Sequence, residues 1–402
     1  MTIKKDQGLS EASGYAVKLQ SRRHLLLVTR AAAVVTGLGF GTSMALERKA
    51  APHATAQVAA PGLVSSVAPK PEKRSITVAT TNPTALAYLP VLVAQYKGFF
   101  AQRGLQVEVS EQQSAARSIA AVGNGSADVV CSWLENVLSA PGRALGLQSI
   151  TLLGITPMMA LGVPARPAAA LTTRPSVGPA SAGMNALSQL RGKNIGVVAL
   201  NSPTHTVALV ALRRAGLRAS DVGFVSVGSP VSAQAALRSG QIDALVHMDP
   251  FMLQQEMSGE MQILFDLRSP LASFEALGMH IPSGCVATSQ DFLQKFPGTA
   301  QACSDALVQA LQWLAQASLR DMLHFQEGLP EGLSNMDAHS FVASFERLRL
   351  AYSSDGLCPP QLAINLLQAM HEAEPALRLE KIDALKSINN TLAQRSLSRM
   401  KT

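Results

Sequence analysis

A six-residue segment, Asn201–Thr206, has the composition of a helix start that binds an anion. Ser202 is a favourable N-cap residue, and Pro203 suits the first helical position. The backbone N–H groups of the first turn would then point away from the helix. These N–H donors and the positive end of the helix dipole favour the binding of a sulfonate, carboxylate or nitrate oxygen. An ordinary capped helix would have the same sequence, so the pattern alone leaves both interpretations open.

Two further segments follow predicted strands in the first half of the chain. In a Thr-Thr-Asn-Pro-Thr turn, Asn82 and Thr84 offer an amide and a hydroxyl group, although Asn-Pro is also common in plain turns. Trp133 and Asn136 follow a later strand, and the Trp133 ring could cover a planar or apolar part of a solute or fill the core instead. We interpret Glu135 as a charge at a helix N-terminus rather than as a ligand contact.

Polar residues also follow the predicted strands of the second half. Ser229 comes after one strand and Asp249 after the next. Asp249 could bind a cationic group or cap the helix that Pro250 opens, and capping is the favoured interpretation. His247 and His280 are interpreted as structural histidines. The candidate ligand-binding residues are therefore Asn82, Thr84, Trp133, Asn136, Ser202, Thr204, His205, Thr206, Ser229 and Asp249.

Short strands alternate with helices from Ser75 to Phe265, which predicts βαβ units and mostly parallel sheets. The pattern occurs twice, because a helix ends at Gly104 and again at Gly216, and each time a strand, a helix and an Asp-containing strand follow. After Gly284 the sequence predicts helices almost throughout. Ligands of open α/β sheets bind beyond the carboxyl ends of the strands. We therefore expect two lobes that face each other across a cleft holding the candidate residues.

Several segments between Ile76 and Phe265 match, in order and spacing, those of one known family. They are 89–100, 103–108, 125–129, 190–197, 215–222 and 235–244, and His247–Pro250 lies where that family has an acidic-Pro pair. On these segments the chain resembles the nitrate/taurine-type periplasmic binding proteins. These are the solute receptors of ABC importers, and they are grouped with alkanesulfonate-binding and pyrimidine-precursor proteins.

The resemblance implies a type II periplasmic-binding-protein fold of the α/β class, with two mostly parallel sheets flanked by helices around a central cleft and a helical C-terminal region. It implies a monomer that closes on a small anionic solute and delivers it to an importer permease in the cytoplasmic membrane, without catalysis, metal or cofactor. Pro203 and His205 depart from the Gly/Ser/Thr-rich turn usual at this point, which leaves the solute open.

Two alternatives to transport remain. One is a pyrimidine-precursor (thiamine pathway) binding protein or a synthase-like enzyme, whose relatives use a histidine and an iron site with a cysteine-rich motif. The four cysteines here are scattered, with no CxxC pair and no histidine at zinc-ligand spacing, and Cys131 is interpreted as a small core residue. The other is a periplasmic sensor or adaptor that uses the same lobes.

The N-terminal residues predict export and set the domain boundaries. Paired arginines at 22–23, an apolar stretch at 31–40 and a small-x-small sequence at 43–45 predict a twin-arginine signal peptide over 1–45. A membrane anchor is disfavoured, because a span needs roughly 20 apolar residues. A disordered linker is expected over 46–74, lobe 1 over 75–182, lobe 2 over 183–284, and the return to lobe 1 with C-terminal helices over 285–402. The hinge is expected near 182–187 and 281–287.

The formal charge of +7 could suggest binding to nucleic acid. Six basic and two acidic side chains of the predicted signal account for four of these seven charges, however. No dense block of lysine and arginine follows, so we expect no nucleic-acid partner. A periplasmic location is expected instead.

Overall fold

Short apolar runs bounded by glycine or polar residues form the strands of two five-stranded sheets in this computed structural model. It describes residues 70–165, 185–376, 379 and 382–400. The predicted signal peptide, most of the predicted linker and nearly all of the Pro-rich loop over 164–182 lie outside the described residues. The strands are β1 Ser75–Thr80, β2 Gln106–Glu111, β3 Val129–Trp133, β4 Leu147–Leu152, β5 Met159–Pro164, β6 Asn194–Val197, β7 Gly223–Ser226, β8 Ala244–Met248, β9 Met261–Asp266 and β10 Gly284–Ser289.

Helices follow most strands and cover the faces of the sheets. Their starts carry the expected signals, such as Ser114 and Ser229, whose hydroxyls accept first-turn N–H groups. The helices are α1 Leu89–Tyr96, α2 Phe99–Gln102, α3 Ala115–Gly123, α4 Leu134–Leu138, α5 Ala140–Ala144, α6 Pro203–Arg214, α7 Pro230–Arg238, α8 Phe251–Met257, α9 Pro270–Leu277, α10 Gln290–Lys295, α11 Pro297–Gln316, α12 Leu319–Glu327, α13 Ala338–Leu348, α14 Pro360–Ala373 and α15 Asn390–Met400.

Each lobe is built on one mixed sheet. Sheet 1 has the order β2-β1-β3-β10-β4, and sheet 2 has the order β7-β6-β8-β5-β9. In each sheet one strand runs against its neighbours: β10 pairs antiparallel with β3 and β4, and β5 pairs antiparallel with β8 and β9. The remaining observed pairs are parallel, so the predicted α/β class and two-sheet arrangement are confirmed.

Two assignments made from the sequence are wrong. β10 lies in the region predicted to be almost wholly helical, and its partners β3 and β4 precede it by more than 130 residues. Its six residues form a short buried run, which periodicity cannot distinguish from a buried helix. β5 was assigned to lobe 1 but belongs to sheet 2, since an apolar run does not reveal which sheet it joins.

The chain crosses between the lobes earlier than the sequence suggested. The first crossing lies between β4 and β5, at residues 153–158, and not near 182–187. The return lies between α9 and β10, at residues 278–283, which overlaps the second predicted hinge segment. The helix predicted to end at Gly104 is also interrupted, because Gly98 adopts a positive φ of 74° between α1 and α2.

The C-terminal region contacts both lobes. α11 packs against α1, and α15 packs against α11 and β4 of lobe 1. α14 packs against α6 of lobe 2, where Arg214 and Glu372 form an ion pair of 3.1 Å. The predicted return to lobe 1 therefore describes only part of this region. Among the described residues, no helix combines the length and apolarity that crossing a membrane requires.

The start of the described chain is bound to lobe 1. The Glu72 carboxylate accepts the N–H groups of Gly298 and Thr299 at 2.9 and 2.8 Å, at the N-terminal end of α11. The last residues of the segment predicted as a linker thus contact the folded body. All four cysteines are buried and unpaired, with Cys131 in the fully buried strand β3.

Candidate functional site

A cavity of about 300 Å³ lies between the lobes, beyond the carboxyl ends of β1 and β8. Asn82 and Thr84 line it from lobe 1, and His247 and Asp249 line it from lobe 2. Residues 332–336, which follow α12, complete the wall. A volume of about 300 Å³ lies at the lower end of the range for small-molecule sites.

The lobe 1 side of this cavity is a small polar turn. Asn82 Oδ1 accepts from the backbone N–H of Thr84 at 3.2 Å and from its hydroxyl at 3.0 Å. This Asx turn fixes the loop after β1 and uses the amide oxygen. Both side chains are partly buried, and the Asn82 amide nitrogen remains as a donor at the cavity wall.

Asp249 is the most buried polar residue of the wall, with 3% of its surface exposed. Its Oδ1 accepts from the N–H of Leu253 at 3.0 Å and from Arg268 Nη1 at 3.2 Å. Asp249 therefore caps the first turn of α8, as the favoured interpretation predicted. Its Oδ2 is buried and has no hydrogen-bond partner among the described residues. Oδ1 is thus hydrogen-bonded within lobe 2, whereas Oδ2 makes no hydrogen bond to the described residues.

Arg268 has a fully buried side chain that organises the carboxylates behind this wall. Its guanidinium contacts Asp249, Glu256 and Asp266, and Arg347 contacts the last two as well. Two guanidinium groups thus face three carboxylates, which leaves one negative charge in excess. Burial raises the pKa of Asp249 to about 6, although the charge of Arg268 lowers it in part. Nothing in the local sequence marked Arg268 as part of the site.

His247 also lines the wall, and its ring is almost fully buried. Its Nδ1 accepts from the N–H of Met248 at 2.9 Å, and its Nε2 is buried without a hydrogen-bond partner among the described residues. Burial lowers the pKa of His247, while backbone groups of Met248 and Gly228 oppose this, so the ring is neutral near pH 7.

A smaller cavity of about 30 Å³ lies between α4 and α6. Trp133 and Glu135 line it from lobe 1, Pro203 and Thr206 line it from lobe 2, and the remaining wall is mostly apolar. The Thr206 hydroxyl donates to Glu135 Oε1 at 2.8 Å, which joins the two lobes directly. Burial raises the pKa of Glu135 to about 7, against the opposing effect of the Thr206 hydrogen bond. Glu135 therefore contributes to the contact between the lobes, a role that the sequence did not suggest.

The side chains at the N-terminus of α6 bond mostly to the preceding turn, and the N-cap residue Ser202 makes no side-chain capping hydrogen bond. The buried Thr204 hydroxyl accepts from the N–H of Val198 at 3.0 Å, and the Ser202 hydroxyl donates to the Ala199 carbonyl at 2.6 Å. His205 Nδ1 accepts from the N–H of Asn201 at 3.2 Å, and its ring packs edge-on against Phe224 with centroids 4.5 Å apart. In the segment Asn201–Thr206, only Pro203 and Thr206 line a cavity.

The ten candidate residues thus fall into three groups. Asn82, Thr84 and Asp249 line the larger cavity. Trp133 and Thr206 line the smaller one. Ser229 is exposed, and its hydroxyl accepts from Ser232 at the start of α7. The candidates that line neither cavity are Asn136, Ser202, Thr204, His205 and Ser229.

The two sheets, each with one antiparallel strand and joined by two crossings around a cleft, define the architecture of periplasmic binding proteins. The alkanesulfonate-binding protein SsuA of Xanthomonas axonopodis pv. citri, bound to MOPS, has this fold. It superimposes with a TM-score of 0.58 at 19% identity, over 80% of this chain and 99% of its own. A structure from Bordetella bronchiseptica RB50 superimposes with a TM-score of 0.71 at 32% identity, over 83% of this chain and all of its own.

The chain belongs to the NMT1-like family, which matches residues 69–323. A curated relative, 4-amino-5-hydroxymethyl-2-methylpyrimidine phosphate synthase of Uromyces fabae, is 35% identical over 66 residues. That match spans 16% of this chain and about a fifth (19%) of the relative. Within the described residues, no cluster of three or more His, Cys, Asp or Glu side chains could hold a metal ion.

Proposed function

We propose that this protein is the extracytoplasmic solute-binding component of an ABC import system, which captures a small polar solute by closing its two lobes. The observation that carries the proposal is the cavity of about 300 Å³, whose polar groups come jointly from the end of β1 and the end of β8. A site shared by two lobes couples solute binding to their closure, because the solute contacts both walls only in the closed state.

This cavity can bind the predicted anionic solute only through neutral hydrogen-bond donors of the protein. Among the described residues, neither cavity is lined by lysine or arginine. The Asn82 amide nitrogen is a donor available to a sulfonate or carboxylate oxygen. We therefore favour a monoanionic or zwitterionic organic solute over a phosphate-rich one.

Export through the segment 1–45, a periplasmic location, function as a monomer and a permease partner belong to the same proposal. Binding of a pyrimidine precursor is the second candidate, since the 66-residue match to the Uromyces fabae synthase favours it. An aminopyrimidine in the binding panel distinguishes the two, because transport of sulfonates or carboxylates predicts that it binds more weakly than they do.

Isothermal titration calorimetry with a panel of small sulfonates, carboxylates, amino acids and pyrimidines tests the proposal. We expect at least one class to bind, and we expect Thr84→Phe, which fills the cavity, to weaken that binding at least tenfold. Val231→Phe is the matched control, because Val231 is 79% exposed and lies outside the cavity. Unchanged affinity in Thr84→Phe, or no binding by any class, would contradict the proposal.

A further inference from the structure

The larger cavity has a third wall that belongs to neither sheet. The wall is part of the loop that joins α12 to α13, where Gly332, Leu333, Asn335 and Met336 line the cavity. Leu333 is buried, with 2% of its surface exposed, whereas Asn335 is exposed and Met336 is partly buried. Leu333 therefore anchors the loop, while Asn335 and Met336 keep accessible surface at the cavity.

A single side chain holds this loop in two places. Gln326 lies in the last turn of α12 and is 5% exposed. Its amide nitrogen donates to the carbonyl oxygens of Leu333 at 2.9 Å and of Met336 at 2.8 Å. A side-chain amide has two N–H donors, so both are used on the third wall. Because a loop lacks the repeating hydrogen bonds of a helix or strand, these two bonds help to fix its conformation.

The helices on either side of the loop are attached to different lobes. α12 contacts α11 through the rings of Trp313 and Phe325, whose centroids are 5.5 Å apart, and α11 packs against α1 of lobe 1. α13 packs against α8 of lobe 2, where Arg347 contacts Glu256 at 3.4 Å. Gln326 therefore fixes the loop from the side of lobe 1, as the chain passes toward lobe 2.

We infer that Gln326 is a positioning residue of the solute site, which holds residues 332–336 as the third wall and thereby controls which solutes bind tightly. This inference rests on the proposed function, because it concerns the same cavity. Gln326 does not itself line the cavity, so its effect on a solute passes through the loop. A loop without these two bonds must be ordered by the solute, and that ordering weakens binding.

Calorimetry on Gln326→Leu, with the panel of sulfonates, carboxylates, amino acids and pyrimidines, tests the inference. Leucine retains apolar contacts in the same space but donates no hydrogen bond. We expect the best-bound solute to bind at least tenfold more weakly. We also expect the ratio of its affinity to that of the next-best solute to move toward one, whereas a role of Gln326 in stability alone would leave that ratio unchanged.

Gln301→Leu is the matched control. Gln301 is also buried, at 2% exposure, and its amide nitrogen donates to Asp305 Oδ1 at 2.8 Å and to the Leu392 carbonyl at 2.9 Å, outside the lining of the cavity. We expect both variants to unfold at lower urea concentration and only Gln326→Leu to change solute binding. Equal losses of affinity in the two variants would overturn the inference, and so would wild-type affinity in Gln326→Leu.

Hydrogen exchange provides a second test that does not depend on the folding of Gln326→Leu. Solute binding to the unmutated protein should slow amide exchange in residues 332–336. Gln326→Asn, whose side chain is one methylene shorter, should speed exchange there in the solute-free state. Exchange that the bound solute leaves unchanged would overturn the inference and leave the solute-binding role intact, whereas no binding by any class to the unmutated protein would overturn both.

Discussion

At the scale of single residues, burial controls the charge of the carboxylates near the cleft. Burial raises the pKa of Glu135 to about 7 and that of Asp249 to about 6. Burial alone would also raise the pKa of Asp266, but the hydrogen bonds and charge of Arg268 hold it below its usual range. Glu135 and Asp249 therefore titrate closer to neutrality than Asp266 does.

Glu135→Gln should remove a pH dependence from folding stability. The folded-state pKa of Glu135 is raised, so the folded protein binds more protons than the unfolded chain between about 4.5 and 7. The stability gained from that protonation is present below the lower value and is lost as the pH rises through 7. Urea unfolding of the wild type and Glu135→Gln from pH 4.5 to 8 should therefore show wild-type stability falling relative to the variant.

Thr206→Val is the matched control for that titration. The Thr206 hydroxyl stabilises the Glu135 carboxylate, so its loss should move the transition to higher pH rather than abolish it. Parallel stability curves for the wild type and Glu135→Gln would show that Glu135 is not the titrating group.

Sequence alone could find some of these residues and not others. Asn82, Thr84 and Asp249 follow strands, and ligands of α/β sheets bind at strand ends, so a local rule identified them. Glu135 was interpreted only as a charge at a helix N-terminus, because its contact to Thr206 spans 71 positions and leaves no local signal.

At the scale of elements, Arg268 joins three segments of lobe 2 to the C-terminal region. It follows β9, contacts Asp249 before α8 and Glu256 within α8, and shares its carboxylates with Arg347 of α13. The ion-pair network therefore fixes the end of β8 that carries the cavity wall.

Arg268→Met should destabilise the protein by about 3–5 kcal/mol, because it leaves buried carboxylates without their counter-charge. Arg191→Met is the matched control, since the Arg191–Asp221 ion pair at 2.9 Å involves an arginine side chain that is 61% exposed. Such surface pairs contribute little to stability. Urea unfolding at pH 7 measures both variants, and losses of similar size would refute the central role of Arg268.

Local sequence patterns identified where strands lie better than they identified which strands pair with each other. Short apolar runs predicted strands alternating with helices between Ser75 and Phe265, where β1 to β8 lie. β10 was missed because its pairing with β3 and β4 depends on contacts distant in sequence. The order of strands in a sheet is fixed by such packing and not by the composition of one strand.

At the scale of the whole molecule, the two lobes meet through side chains and through the C-terminal region. Glu135 and Thr206 connect α4 to α6, while α14 contributes Leu366 and Ala369 to the smaller cavity. The larger cavity draws its walls from both lobes and from residues 332–336. The proposed capture of a solute depends on this arrangement, because a solute in the cavity contacts both lobes at once.

Native mass spectrometry of the protein, purified without denaturation from the periplasm of an expressing cell, tests the central claim most directly. We predict that the wild type and Val231→Phe each carry one small solute per chain, and that Thr84→Phe carries none. Equal occupancy in Thr84→Phe and the wild type would contradict the account, because the solute would then bind outside the cavity between the lobes.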